Sequence, residues 1–312
     1  MSLIHQAKRV SALSIIALAA SSAFADVTVS TKYGEVTVKD NATQIITLTE
    51  SALDAMSAID VEVAGSVATR GSDTVSRYLE DKQPNIQIVG TARETNIEAV
   101  IGLRPDVILA PSSMAKSQYD VLSKIAPTIV PDTTFTTPDG WKIDARLYGK
   151  AVSKSAEVEQ AIEAVNQRAA TIKQQVEAQI PADQRTAFIA RWMPQGAIVM
   201  SKDLFVGSLL NEVGLKADDG DLLKSGRPHS SPLSLENLGA IDGDWLFLAT
   251  LNADGEEALN AAKQSPAFAR LNVVQANHTA TVDGQVWSST SGPLAAQVIL
   301  DDVESLLEAN NH

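Results

Sequence analysis

Two carboxylates stand at matching places in two segments of the chain that share one design. The first segment is Asn96-Ile97-Glu98-Ala99-Val100-Ile101-Gly102-Leu103-Arg104-Pro105-Asp106-Val107-Ile108-Leu109-Ala110, and the second is Ser234-Leu235-Glu236-Asn237-Leu238-Gly239-Ala240-Ile241-Asp242-Gly243-Asp244-Trp245-Leu246-Phe247-Leu248. Each reads as a capping residue, a Glu within a short apolar helix, an Asp, and a buried four-residue strand. Glu98 and Glu236 fall in the first turn, where the helix dipole favours an anion. Such a carboxylate serves either its own helix or an outside cationic partner.

The groups that catalysis would need do not assemble. The chain has no cysteine, and of its four histidines His5 and His312 sit near the ends, leaving His229 and His278 isolated. No Gly-x-Ser-x-Gly elbow, His-Glu-x-x-His pair or phosphate-cradling glycine loop is present. Acids are plentiful, but no pair stands out by spacing for acid/base work. A site for a bare metal ion lacks a cluster of His, Asp or Glu ligands.

What remains is recognition chemistry, carried by basic and aromatic residues next to apolar strands. Arg70 lies in a polar loop after the strand 61–67, and Lys116 and Tyr119 lie in a loop after the strand 107–110. Arg191 and Trp192 end the strand 186–192, so one can face outward while the other packs. Arg227 and His229 belong to the polar loop 218–232, and Trp287 opens the loop 287–293 before the last helix. Trp245 reads as core, whereas Trp141 and Arg146 begin a helix and either pack or line an opening.

The elements that position these residues are α/β in both halves. Residues 27–38 alternate around Gly34 as a hairpin; strand, helix and strand follow over 44–67, and further strands are expected at 86–89, 107–110 and 128–130. Between the halves, residues 153–180 read as one long helix, with Val158, Ile162, Val165, Ala169, Ile172 and Val176 on a single face and Pro181 at its end. Ser153 or Ser155 is the expected cap. The second half restarts with strands at 186–192 and 197–200, a helix at 207–213, strands at 273–276 and 280–282, and a closing helix at 294–307. The expected organisation is a cleaved leader over 1–25, an N-terminal lobe over 26–152, the connecting helix over 153–180 and a C-terminal lobe over 181–312.

The leader is read from Lys8 and Arg9, the apolar run 10–20 and the small-x-small sequence Ala23-Phe24-Ala25. Without it, the basic count falls from 25 to 23 against 38 acids, a net charge of −15, which argues against nucleic acid or an anionic membrane as partner. No thiol is available for a lipid anchor, so the expected compartment is the periplasm.

Taken together, the leader, the two α/β lobes, the single joining helix and the repeated segment resemble the periplasmic binding proteins of iron-siderophore, haem and cobalamin ABC importers. Val89-Gly90-Thr91 through Ala110, with residues 119–128, are most similar to the ferric-siderophore and ferric-citrate binders. The resemblance implies two Rossmann-like lobes joined by one backbone helix, little hinge closure, a monomer, and no catalytic activity or resident cofactor, the Fe(III)-siderophore being transported ligand. It implies that Glu98 and Glu236 dock onto an inner-membrane permease. It places the ligand in the interlobe cleft, with Arg70, Arg93, Lys116, Arg191, Trp192, Arg227 and Trp287 as contacts. Ala92 offsets Arg93 by one position from the family's basic residue, and no arginine follows Trp287 as in ferric-citrate binders, which opens hydroxamate and mixed chelates. Haem, with Tyr78, Tyr119 or His229 as axial ligand, cobalamin, and an exported enzyme are the alternatives.

Overall fold

The structure is a computed structural model that describes residues 26–224 and 226–310; the expected leader lies outside them. The chain opens with an antiparallel hairpin, β1 (Val27–Thr31) and β2 (Gly34–Val38). The first lobe continues through β3 (Ile45–Thr47), α1 (Glu50–Ala58), β4 (Gly65–Ala68), α2 (Arg77–Glu80), β5 (Gln87–Thr91), α3 (Ile97–Leu103), β6 (Val107–Leu109), α4 (Lys116–Leu122), β7 (Thr128–Ile129) and α5 (Gly140–Ala151). Its five strands form a parallel sheet in the order β5-β4-β3-β6-β7.

After α6 (Ser155–Gln179) the second lobe runs β8 (Thr186–Met193), β9 (Gly196–Val199), α7 (Phe205–Glu212), β10 (Lys216–Ala217), a 3-10 segment (Leu235–Ile241) and β11 (Trp245–Thr250). It ends with α8 (Ala253–Lys263), α9 (Pro266–Ala269), α10 (Asn272–Gln275), β12 (Thr279–Asp283), α11 (Gly284–Ser289) and α12 (Pro293–Ala309). Strands β10-β8-β11-β12 are parallel, and β9 folds back antiparallel on β8.

The sequence repeat has a shared structural use. Asp106 accepts hydrogen bonds from the backbone N–H of Thr43 and Gln44, both at 2.9 Å, and so pins the start of β3. Those bonds hold its carboxyl below the usual aspartate range. Asp244 does the same for β8, accepting from Thr186 N–H at 2.8 Å. The helical parts differ: Asn96 Oδ1 caps α3 through Ala99 N–H at 3.1 Å, whereas Ser234 caps nothing and the turn after it is 3-10.

The six stripe residues of α6 are buried, and α6 is 25 residues long, about 38 Å at 1.5 Å per residue. They enter one core that runs through both lobes, from Leu53 of α1 and Tyr148 of α5 to Leu209 of α7 and Ile299 of α12. Gly149 permits the approach of α5 to α6, since a Cβ there would lie 2.4 Å from Val158. A second tie joins α1 to α12. Asp54, fully buried on α1, accepts from Leu294 N–H (3.0 Å), Ala295 N–H (2.7 Å) and Tyr78 O–H (2.8 Å). It thereby satisfies donors that the open N-terminus of α12 would leave orphaned. Gly292, at φ +148°, is required there because a Cβ would collide with the Asp54 carboxylate.

Several local expectations are corrected. Lys116 and Tyr119 lie in α4 rather than in a loop. Residues 273–276, expected as a strand, belong to a helical turn that Asp242 holds from a distance, its carboxylate accepting from Val273 N–H at 3.0 Å. Trp287 is in α11, which Asp283 starts by accepting from Gln285 N–H at 2.8 Å. Neither serine caps α6: Lys154 holds the cap position, and Ser153, at φ +59°, bonds Asp40 instead.

Burial pushes the Asp54 carboxyl up to about 7, against the lowering effect of its three donors. The folded state then holds a proton that the unfolded chain has released above its ordinary value, so the contribution of Asp54 to stability is full in acid and falls as pH rises toward 7. Compared with Asp54→Asn in thermal melts, the wild-type protein should lose relative stability between pH 4 and pH 7, by as much as about 4 kcal/mol. A pH-independent difference would contradict this.

Candidate functional site

Loops at the carboxyl ends of the parallel strands meet between the lobes around a cleft of about 660 Å³, the end at which open α/β sheets form crevices. Thr49 and Ser51 follow β3, Arg70 follows β4, Ser112 follows β6, and Thr133 and Phe135 follow β7. Helix α5 contributes Trp141, Asp144 and Tyr148. From the second lobe come Arg191, the start of α7 with Phe205, His229, and residues 287–291.

The alternation of β8 decides which of its last residues reaches this cleft. Ala187 and Ile189 face the shared core and Arg191 continues their side, while Phe188, Ala190 and Trp192 face the outer core. Trp192 therefore packs edge-on against Phe268, with ring centroids 6.1 Å apart. Arg191 is only 6% exposed, its Nη1 donates to Ser288 Oγ at 3.4 Å, and its Nε has no partner. Burial, with the Arg70 charge beside it, pulls the guanidinium down to about 10, so it is still a cation at neutral pH. Neither arginine forms an ion pair among the described residues. Ser289 Oγ, buried in the same wall, also lacks a partner.

Glu50 lies behind Arg70. Its carboxylate accepts from Thr69 Oγ1, from Ser76 Oγ and from Arg70 N–H, the last two at 3.3 Å, and so sets the backbone that carries the guanidinium. Burial raises its carboxyl above the usual range. Lys32 adds a third cation from the tip of the hairpin, with its Nζ on Ser112 O at 2.7 Å.

Of the residues singled out in the sequence, Arg70, Arg191 and Trp287 come together at the cleft. The Trp287 ring is fully buried beneath the wall, stacked 4.4 Å from Phe247, and its Nε1 donates to Asp302 at 2.7 Å. It supports residues 288–291 rather than exposing a face. Arg93 is exposed on the turn after β5 and Arg227 is exposed beside Pro228, both outside the lining. Lys116 also lies outside, paired with Asp120 over the Tyr33 and Tyr119 rings. Lys32 and Phe135 carried no sequence signal, because only the pairing of Lys32 N–H with Val130 O at 2.9 Å brings the hairpin to the sheet end.

Glu98 and Glu236 are exposed, each in the first turn of its helical segment. Asn96 N–H bonds Val89 O at 2.8 Å, and Leu233 N–H bonds Ala197 O at 2.7 Å, which places both turns. The backbone N–H of Glu236 and the Ser234 side chain hold the Glu236 carboxyl below its usual range. Exposed apolar neighbours accompany them, Ile101 one turn after Glu98 and Leu235 beside Glu236.

Residues 45–286 match the periplasmic binding protein family. The chain belongs to that family. Relatives of this periplasmic binding protein include the probable siderophore-binding lipoprotein YfiY of Bacillus subtilis, 28% identical over 273 residues that cover 85% of this chain and 82% of the relative. The Fe(3+) dicitrate-binding periplasmic protein FecB of Escherichia coli is 28% identical over 285 residues, 91% of each chain. Among solved structures, Staphylococcus aureus SirA complexed with staphyloferrin B has the same fold, with a TM-score of 0.75 at 22% identity over 91% of this chain and 98% of that one. The family is one of binding proteins, and no helix among the described residues is long and apolar enough to cross a membrane.

A buried cation with no counter-charge is a stability cost that a binding site tolerates. Arg191→Met should raise the unfolding free energy of the ligand-free protein by about 1 kcal/mol or more, read by chemical denaturation. Destabilisation by the same amount would show that Arg191 is a structural residue.

Proposed function

We propose that this periplasmic binding protein captures a ferric siderophore with a carboxylate periphery in the interlobe cleft and delivers it to an ATP-driven permease in the inner membrane. The observation that carries the reading is the pair Arg70 and Arg191, lining one space without a salt bridge among the described residues and with the buried Arg191 Nε unpartnered there. Charge-assisted bonds from guanidinium to carboxylate are the strongest available to such a site. With a net charge of −13 over the whole sequence, the protein repels an anionic chelate elsewhere, so the Arg70 and Arg191 side of the cleft is where it settles. Among the relatives, FecB, a dicitrate-binding protein, supports a carboxylate ligand. Of the haem axial candidates, Tyr78 is bonded to Asp54 and Tyr119 lies against Tyr33, away from the cleft, while His229 lines it with its Nδ1 2.8 Å from Ser230 O.

In this reading the leader 1–25 directs export to the periplasm, lobes 26–152 and 181–312 flank the helix 153–180, and the mature chain acts as a monomer. Iron enters as cargo, and the protein does not turn the chelate over. The permease reads the exposed Glu98 and Glu236, one on each lobe.

Titration of mature protein with ferric dicitrate, a neutral ferric trishydroxamate and a ferric catecholate should show retention of the citrate complex. Arg70→Met and Arg191→Met should each weaken it about tenfold or more. Retention of the neutral hydroxamate alone would sink the carboxylate reading. In cells, Glu98→Lys and Glu236→Lys should abolish uptake while purified protein keeps its affinity, and normal uptake by either variant would refute its docking role.

A further inference from the structure

The cleft also holds a negative group that the arginine pair does not explain. Asp144 is half-buried on α5, with Trp141 and Tyr148 three residues before and four after it on the same face. Its one protein partner is Thr133 Oγ1, which donates at 2.8 Å. No Lys or Arg pairs with it among the described residues: Lys142, two positions before it, is bonded to Asp139 at 2.9 Å and Glu212 at 3.3 Å and lies over one face of the Trp141 ring, 5.5 Å from its centroid. Burial raises the Asp144 carboxyl to about 6, and Thr133 alone offsets this, with no contribution from Arg70, Arg191 or Lys32. The carboxylate thus stands apart from the basic wall.

Aromatic residues line the same cleft. Trp141 meets Phe205 of the other lobe edge-on, with centroids 5.7 Å apart, and Phe135, 43% exposed, lines the same opening. A carboxylate short of a cation among ring faces is the arrangement that holds an ammonium group, because the rings attract the cation through their quadrupoles while excluding water from the ion pair. The geometry points to a cation subsite at Asp144, walled by Trp141, Phe205 and Phe135, which selects carboxylate siderophores that also carry a protonated amine. This rests on the carboxylate reading above and adds a second, opposite pole to it. Because the rings come from both lobes, the subsite depends on the contact of Trp141 with Phe205.

Three ferric probes test the inference by calorimetry at pH 7.5: ferric dicitrate, the ferric complex of a citrate monoamide of 1,2-diaminoethane with its free ammonium, and the N-acetylated form of that amide. The wild-type protein should prefer the ammonium probe over the acetylated one by about tenfold or more. Asp144→Asn should remove that preference and leave ferric dicitrate bound as tightly as before or slightly more so. Asp144→Ser, which removes the charge and keeps a partner for Thr133, should give the same pattern, and Trp141→Leu should reduce the preference in part. Equal affinity of the wild-type protein for the ammonium and acetylated probes, or equal weakening of all three probes by both Asp144 variants, overturns the subsite alone. Failure of the wild-type protein to bind any of the three overturns the carboxylate reading and the subsite with it.

Discussion

The bond of the Asp54 carboxylate to the N-terminus of α12 is the contact on which the interlobe geometry depends. A helix that begins inside a protein needs partners for its first N–H groups, and α12 takes two of them from a residue in the other lobe. Gly292 and Pro293 leave room for that carboxylate at the start of the helix. Ser51 and Ser291, bonded at 2.9 Å, extend the tie to the edge of the cleft. The residues just before α12 are therefore held from both sides: by Asp54 in front and by Trp287, bonded to Asp302, beneath. Arg191 leans on Ser288 in this same segment. Loosening the Asp54 contact would disturb the wall that presents the guanidinium.

The long helix works with this bond rather than alone. Its six apolar residues sit in one core continuous with α1, α5, α7 and α12, so the lobes share packed interior and not only a linker. A shared core resists wide hinge motion because opening it would expose apolar surface at about 25 cal/mol per Å². Trp141 against Phe205 and Lys142 against Glu212 span the lobes near the cleft and reinforce that limit. The cleft is in this sense preformed, and binding need not spend energy on large rearrangement.

Charge is distributed to match. The arginines form no ion pair among the described residues, and the same cleft is lined by Asp144, which also has no salt bridge there. Unmet polar groups of opposite sign, held on two lobes that share one core, specify a ligand by its charge pattern as much as by its size.

Local pattern in the sequence sufficed for the fold class, the α6 stripe from Val158 to Val176 and the cap at Asn96, because each depends on periodicity or on neighbours close along the chain, whereas the strand-pinning bonds of Asp106 and Asp244 reach about sixty residues back and were not legible. The helical state of residues 272–275 was not legible, since Asp242 holds that turn from thirty-one positions away. Nor was the cleft lining: Arg191 and Trp192 are adjacent and chemically equal candidates until the pleat of β8 and the position of the second core send one to each side. Lys32, Asp144 and Phe205 meet only through long-range pairing of a hairpin with a sheet and of one lobe with the other. Sequence alone determined the fold class, the long connecting helix and which residues bear charge; the tertiary structure decided several local elements and which of those charges face each other, because these depend on contacts between segments far apart in the chain.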